Sequence, residues 1–142
     1  MRVVLDTDVM VAALRSKYGA SRQWLKAVLR RQAELALSVP LALQYEEVLL
    51  RPDQLQAIQA TPAQIEAILD ALCLVCVPVE MSFLWRPMVR DPDDEMVLEA
   101  AIHGQADFLI TFNERDYVGA QRFGVKVTLP GKAWKLWKGE IA

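Results

Sequence analysis

Short apolar runs alternate along the chain with segments in which apolar residues recur at helical spacing. Five runs predict buried strands, at residues 2–5, 34–38, 73–79, 108–111 and 125–129. Spacing and capping residues predict helices that begin at Asp8, Ser21, Pro40, Thr61, the 90–95 segment, Tyr117 and Pro130. Strands that alternate with helices are typical of an α/β fold, in which helices flank a mostly parallel sheet. No linker, repeat or low-complexity tract interrupts the pattern, so we expect a single domain over residues 1–142.

The composition is that of a globular chain: 54% of the 142 residues are hydrophobic and 24% are charged. Acidic residues (18) slightly outnumber basic ones (16), and the net charge of −2 argues against disorder and against non-specific coating of DNA. Charges and turn residues interrupt every long apolar stretch, and Asp6 arrives too early for the core of a signal peptide. We therefore expect a cytoplasmic protein that does not enter a membrane.

The two cysteines, Cys73 and Cys76, are spaced as a CxxC motif inside an apolar run. A redox pair would need exposed thiols at the start of a helix. A zinc site would need two more ligands, where the sequence has one histidine, His103. We therefore predict two buried structural cysteines.

Three acidic residues lie at the predicted strand ends. Asp6 comes directly after the first strand, Asp94 lies in the first turn of the helix before strand 108–111, and Asp116 lies just beyond that strand. The working site of an open α/β sheet lies beyond the carboxyl ends of its strands, so the three carboxylates can converge. Clustered carboxylates repel one another unless they bind a hard cation such as Mg2+ or Mn2+. Asp94 and Asp116 can also serve as an ordinary helix-start acid and a capping acid.

Three blocks of the sequence, at residues 4–9, 91–101 and 109–117, together resemble the PIN-domain nucleases. With the segment 45–52, they are similar to the bacterial branch of toxin components from toxin–antitoxin pairs. The resemblance covers nearly the whole chain, from about residue 2 to residue 134. It implies a PIN-like, Rossmann-type sandwich, an active site of four acids that hold Mg2+ or Mn2+, and hydrolysis of single-stranded RNA.

Matched residue by residue, the resemblance makes Asp6, Asp94 and Asp116 the first, third and fourth acids, which bind the metal and act in catalysis. Asp8 stands where the family often has asparagine, which adds an acid beside the site. Further residues match polar positions around the metal ligands and are expected to support them; with Asp8 they are Asp91, Thr111 and Asn113.

The second acid is missing, because Gln44 stands where this branch commonly has glutamate. Glutamine offers a cation a carbonyl oxygen but no charge. Glu47, three residues further along the predicted helix, shares a face with Gln44. Glu47 can replace the missing catalytic acid, with Gln44 beside it, or it can pair with Arg51. The alternative to an active nuclease is a catalytically impaired PIN-like binding module.

A second enzyme class also fits the start of the chain, since Asp6-Thr7-Asp8 looks like the opening of haloacid-dehalogenase-type phosphatases. In such an enzyme Asp6 would be the nucleophile and Asp8 the acid/base. That pattern usually continues with threonine where Met10 stands, and no well-placed lysine follows. The phosphatase is therefore the remote alternative.

An acidic pocket repels RNA, so basic residues must supply the attraction. Arg22, Lys26 and Arg30 recur at helical spacing and are predicted either to bind RNA or to form a solvated helix face. The family implies two protein partners, a cognate antitoxin that inserts a basic residue at the acids and a second copy in a homodimer. Trp134 and Trp137 are expected to pack the last helix onto the core or onto that second copy.

Overall fold

A computed structural model of the chain describes residues 1–80 and 92–140. Its strands are β1 (Arg2–Leu5), β2 (Glu34–Leu37), β3 (Val77–Pro78), β4 (Phe108–Ile110) and β5 (Lys126–Thr128). They form one sheet in the order β3-β2-β1-β4-β5, in which every neighbouring pair is parallel. This arrangement confirms the predicted α/β fold with a mostly parallel sheet.

The helices of the described residues are α1 (Thr7–Arg15), α2 (Ala20–Leu29), α3 (Val39–Leu49), α4 (Pro52–Ile58), α5 (Pro62–Val75), α6 (Pro92–His103) and α7 (Pro130–Trp137), with a 3₁₀ segment (Glu114–Phe123) before β5. Local side chains fix several of their starts. The Ser38 hydroxyl accepts a hydrogen bond from the Leu41 backbone at 3.2 Å at the start of α3. Thr61 and Gln64 form a reciprocal capping box at the start of α5.

The central strands are buried on both faces, as short uninterrupted apolar runs require. Val3, Val4 and Leu5 of β1 are fully buried. Three tryptophans pack α7 onto α2, with the ring centroid of Trp24 lying 5.2 Å from that of each partner. We name Trp24, Trp134 and Trp137 the tryptophan cluster. The structure thus shows the first of the two expected alternatives, in which Trp134 and Trp137 pack the last helix onto the core.

The predicted strand over residues 73–79 is wrong over most of its length. α5 continues through Val75, and only the two residues of β3 pair with β2. A short apolar run fits a strand or a buried helix equally well by periodicity. The capping box starts a helix earlier in the chain, and propagating that helix costs less than starting a new element.

The prediction of two buried cysteines is wrong for the same reason. A helix that buries one face leaves its other face exposed, and α5 buries Ile65, Leu69 and Leu72. Cys73 lies off that face and is exposed, and Cys76 is half-buried just after the helix. Both are free thiols.

Several helix starts differ from expectation, and the helix predicted from Tyr117 is instead part of the 3₁₀ segment that begins at Glu114. α1 begins at Thr7, and Asp6 rather than Asp8 is its N-cap. The predicted helix from Pro40 does end near Arg51, but Pro52 also begins a further helix, α4. Proline is well tolerated in the first turn of a helix, where its missing N–H has no helical partner.

Gly104 ends α6 as expected, but packing rather than backbone conformation requires a glycine there. The left-handed residue is its neighbour Gln105, with φ of 52°. A Cβ atom on Gly104 would lie 2.7 Å from the Cβ of Ala36 in β2, closer than real Cβ atoms approach. The glycine thus lets α6 pass close to the sheet.

Within the described ranges, no single helix is both long and apolar enough to cross a membrane. α4 and α5 meet both criteria only when taken together, and the chain bends by 88° between them. The break between the two helices begins at Gln59, the residue after α4, whose backbone is left-handed with φ of 62°.

Candidate active site

A polar edge forms where β1 and β4 end side by side. In the register of this pair Leu5 lies opposite Ile110, so the next residues, Asp6 and Thr111, leave the sheet together. The backbone N–H of Asp6 donates to the Ile110 carbonyl at 2.9 Å, which fixes its position. The strand order reverses at this pair, and such a reversal leaves a crevice at the carboxyl ends of the strands.

Asp6 is a buried carboxylate, with 7% of the residue exposed. Its Oδ1 accepts a hydrogen bond from the Thr7 backbone at 2.7 Å. Its Oδ2 accepts two more, from the Thr111 hydroxyl at 2.7 Å and the Tyr117 hydroxyl at 3.0 Å. Burial raises the pKa of Asp6 despite these bonds, and the charge of Asp116 adds to the increase. The fold therefore bears the cost of desolvating an acid at this position.

Tyr117 joins Asp6 to Asp94, the acid in the first turn of α6. Its hydroxyl lies 3.0 Å from Asp6 Oδ2 and 3.0 Å from Asp94 Oδ1. The 3₁₀ segment departs from helical geometry at Tyr117 (φ −122°, ψ 30°), and the side chain is fully buried. Burial raises the pKa of Tyr117 and the two carboxylates raise it further, so the hydroxyl stays protonated. One phenolic proton thus serves two carboxylates.

Asp8, in the first turn of α1, is tied to the loop after β4. Its Oδ2 accepts hydrogen bonds from the Asn113 side-chain amide at 2.9 Å and from the Phe112 backbone at 3.3 Å. The Asn113 backbone donates in turn to the Thr111 hydroxyl at 2.9 Å. Burial, and after it the charge of Asp6, raises the pKa of Asp8 to about 6.

The predicted acids thus fall into three groups. The acids at the crevice that are buried or half-buried, together with the tyrosine that joins two of them, are named the acid pocket: Asp6, Asp8, Asp94 and Tyr117. Asp116 is exposed on the 3₁₀ segment, where its charge reaches Asp6. Asp91 lies outside the described residues.

Helix α3 lies beside the acid pocket. Tyr45 is fully buried and donates a hydrogen bond to the Leu5 carbonyl at the end of β1. Burial raises the pKa of Tyr45, and the charges of Asp6 and Asp8 raise it further. On the same helix Oε1 of Gln44 is buried and has no hydrogen-bond partner among the described residues. A buried carbonyl without a partner costs about 1–3 kcal/mol, which a bound ion or water would recover.

Glu47 is placed differently from Gln44. Its side chain is 74% exposed, and its Oε1 lies 3.6 Å from a guanidinium nitrogen of Arg51, one helical turn away. This is the ion pair that the sequence left open as the second possibility for Glu47. A surface pair at this spacing contributes about 0.3–0.5 kcal/mol to helix stability.

The basic residues predicted to bind RNA have different surroundings. The Arg22 guanidinium donates to the carbonyls of Ala13 and Leu14, at 3.4 Å for Leu14. Arg22 therefore caps the last turn of α1, at the opposite end of that helix from Asp6. Lys26 is exposed on α2, and Arg30 is exposed at the C-cap of that helix. The structure thus does not bring Arg22 to the acid pocket.

Sequence reasoning missed Tyr117 and Tyr45 as residues of this region. An aromatic residue in an apolar setting predicts core packing, and its position in the sequence does not say where its hydroxyl points. One signal was available: a buried tyrosine hydroxyl usually needs a hydrogen-bond partner. Tyr117 directly follows Asp116 in one of the three acidic blocks.

The donors of this region suit a hydrated Mg2+ or Mn2+ ion. No three histidine, cysteine or acidic side chains in residues 1–80 and 92–140 surround a common metal position. All the atoms that could bind a metal here are oxygens, the ligand type that Mg2+ and Mn2+ prefer. Two of them, Oδ1 of Asp8 and Oε1 of Gln44, are buried and have no hydrogen-bond partner in the same ranges. Mg2+ commonly keeps several waters and uses one or two carboxylates. The Asp6–Asp94 pair fits that mode, whereas a dehydrated cage of acids is not formed by the described residues.

A parallel sheet with a buried carboxylate at its switch point is typical of α/β proteins that bind ligands at the carboxyl edge of the sheet. The model of the PIN domain family matches residues 2–115. The chain therefore belongs to the PIN domain family, whose members are generally metal-dependent nucleases. The matched span contains Asp6 and Asp94 and ends one residue before Asp116. No curated protein and no solved structure shows significant similarity to the chain.

Proposed function

We propose that this PIN domain is an endoribonuclease that cleaves single-stranded RNA with Mg2+ or Mn2+. The observation that carries the proposal is the Asp6–Asp94 pair, two carboxylates that share one hydroxyl at the switch point of the sheet. Neighbouring carboxylates in a desolvated crevice repel each other, and a divalent cation relieves that repulsion. Family membership supports the nuclease, and the choice of RNA rests on the resemblance described above.

In this proposal Asp6 and Asp94 would hold the cation, with Asp116 nearby and the neutral Gln44 oxygen on the side of α3. The cation, when bound, polarises a phosphodiester and lowers the pKa of a water molecule. Asp6 accepts three hydrogen bonds from backbone and hydroxyl donors, which leaves one lone pair, on Oδ1, held in a constant direction toward the cation. Asp8, with a pKa of about 6, can accept the proton of an attacking water near neutral pH.

The test is cleavage of structured and unstructured RNAs by the purified protein, with and without EDTA. We expect Asp94→Asn to lower the cleavage rate by at least about 100-fold, because an amide cannot balance the charge of the cation. The matched control is Asp93→Asn, which removes the same charge from an exposed position next to Asp94. Cleavage that persists in EDTA, or an Asp94→Asn variant as active as the control, would contradict the proposal.

A second candidate function is a binding module that has lost catalysis. It is favoured by the lack of a three-ligand metal position in the described ranges and by the neutral Gln44. Such a module would retain RNA in a gel-shift assay, bind no Mn2+ in calorimetry and cleave nothing. Tight Mn2+ binding together with EDTA-sensitive cleavage would eliminate it.

We further propose, from the resemblance, that the nuclease is the cytoplasmic toxin of a toxin–antitoxin pair and forms a homodimer. An antitoxin arginine placed between Asp6 and Asp94 would bind both carboxylates in place of the cation. We expect expression of the wild type to arrest growth, and expression of Asp94→Asn to leave growth unaffected. Co-expression of a small protein encoded next to it should restore growth, and light scattering of the purified protein measures the oligomeric state.

A further inference from the structure

We propose that Tyr117 is a positioning residue, which fixes Asp94 against Asp6 so that both carboxylates bind the same cation. The inference rests on the proposed function, since it concerns the same two acids. Tyr117 acts through these acids rather than on the substrate. Its hydroxyl contacts one oxygen of each acid at 3.0 Å.

The two acids need such a connection because they belong to separate elements and carry like charges. Asp6 follows β1 and Asp94 stands on α6. Both place a carboxylate oxygen 3.0 Å from the same hydroxyl oxygen, so two like charges lie close together. A hydrogen-bond donor between two carboxylates opposes that repulsion and sets the distance between them.

Tyr117 is well suited to this role because its ring cannot move freely. The side chain is fully buried, and the kink of the 3₁₀ segment at this residue coincides with that burial. Asp6 is also held by Thr7 at 2.7 Å and by Thr111 at 2.7 Å. Removal of the Tyr117 hydroxyl therefore leaves Asp6 with two donors and removes the contact that links Asp6 to Asp94.

The experiment measures Mn2+ affinity by titration calorimetry on the full chain for the wild type, Tyr117→Phe and Tyr45→Phe. Loss of a group that orients a metal ligand typically weakens metal binding by about 10- to 100-fold, and we expect this for Tyr117→Phe. Tyr45→Phe is the matched control, because it removes a second buried hydroxyl that donates to the Leu5 backbone instead of a carboxylate. We expect its Mn2+ affinity to stay within about twofold of the wild type.

A second comparison tests whether Tyr117 acts through Asp94. In an Asp94→Ala background, Tyr117→Phe should weaken Mn2+ binding by less than about threefold, because the acid that the hydroxyl positions is gone. Thermal unfolding without metal is recorded for every variant, which ensures that affinities are compared between folded proteins.

The outcomes separate the two proposals. A wild type that binds no Mn2+ overturns the metal-dependent function and this inference with it. A wild type that binds Mn2+ while Tyr117→Phe binds equally well overturns the inference alone. Equal losses in Tyr117→Phe and Tyr45→Phe, or an undiminished effect of Tyr117→Phe in the Asp94→Ala background, also overturn it. A loss confined to Tyr117→Phe and dependent on Asp94 supports it.

Discussion

The tryptophan cluster and the acid pocket each contain a fully buried aromatic side chain, Trp24 and Tyr117, but they differ in how their polar atoms are satisfied. In the cluster the indole N–H of Trp24 donates to the Pro130 carbonyl at 3.0 Å, and the Lys138 ammonium lies 4.2 Å from the ring centroid of Trp137. In the acid pocket one phenolic proton serves two carboxylates, and Oδ1 of Asp8 has no hydrogen-bond partner among the described residues.

Under the proposed function, this difference separates the region that stabilises the fold from the region that binds the cation. Burial of aromatic surface lowers the free energy of the folded state. Burial of neighbouring carboxylates raises the free energy of the folded state. A cation that bound them would lower it again. Substitutions in the cluster should therefore change stability, and substitutions in the pocket should change ligand affinity.

The largest effect is expected in the tryptophan cluster. Trp24→Ala should lower the free energy of unfolding by about 3–5 kcal/mol, because it leaves a cavity beneath α7. Urea denaturation measures the loss. At low temperature, where the variant is still folded, its Mn2+ affinity should equal that of the wild type. A loss of Mn2+ affinity in the folded variant would show that the two regions are coupled.

Gln44→Glu should change Mn2+ affinity more than it changes stability. A carboxylate beside the pocket adds a charge toward the cation, and we expect Mn2+ binding to tighten by about tenfold, with a matching rise in RNA cleavage at limiting metal. The stability without metal should fall slightly, since one more acid is desolvated. Calorimetry measures the Mn2+ affinity, a cleavage assay at limiting Mn2+ measures the rate, and urea denaturation measures the stability.

Glu47→Gln is the control for that substitution, and it should be silent because Glu47 is exposed and paired with Arg51. If Glu47→Gln instead abolishes Mn2+ binding and Gln44→Glu gains nothing, Glu47 is the acid that serves the site. If neither variant changes either quantity, α3 does not contribute to the metal site.

The smallest effect is a pH dependence of stability from Asp8. Its pKa is about 6 in the folded protein against an ordinary value of 3.8, so the folded state binds more protons between these values. Stability contributed by this group is therefore present at low pH and is lost as the pH rises through 6. We expect a loss of about 1 kcal/mol between pH 4.5 and pH 7.5, less than the full shift because Asp8 is partly exposed.

Urea denaturation of the wild type and Asp8→Asn at both pH values isolates this contribution. The difference in stability between the two proteins should grow by about 1 kcal/mol in favour of Asp8→Asn as the pH rises. Saturating Mn2+ at pH 7.5 should reduce the difference in stability between the wild type and Asp8→Asn. A difference that does not vary with pH would mean that Asp8 is not perturbed in solution.

The sequence by itself determined where most of the strands lie along the chain, which acids follow them and which family the chain belongs to. Each of these depends on neighbours in the sequence: a short apolar run predicts a buried strand, and the residue after it stands at the sheet edge. It failed at residues 73–79, where an apolar run fits a helix as well as a strand, and α5 extends into it.

The tertiary structure alone decided how the acids are connected. The hydroxyl of Tyr117, from the 3₁₀ segment, contacts Asp6 and Asp94, and the Arg22 side chain, from α2, caps the last turn of α1. Neither contact follows from periodicity, since both join residues from different elements. Whether a hydrogen bond forms depends on differences of a few tenths of an ångström in the donor–acceptor distance. Only the packed fold sets that distance between residues of different elements.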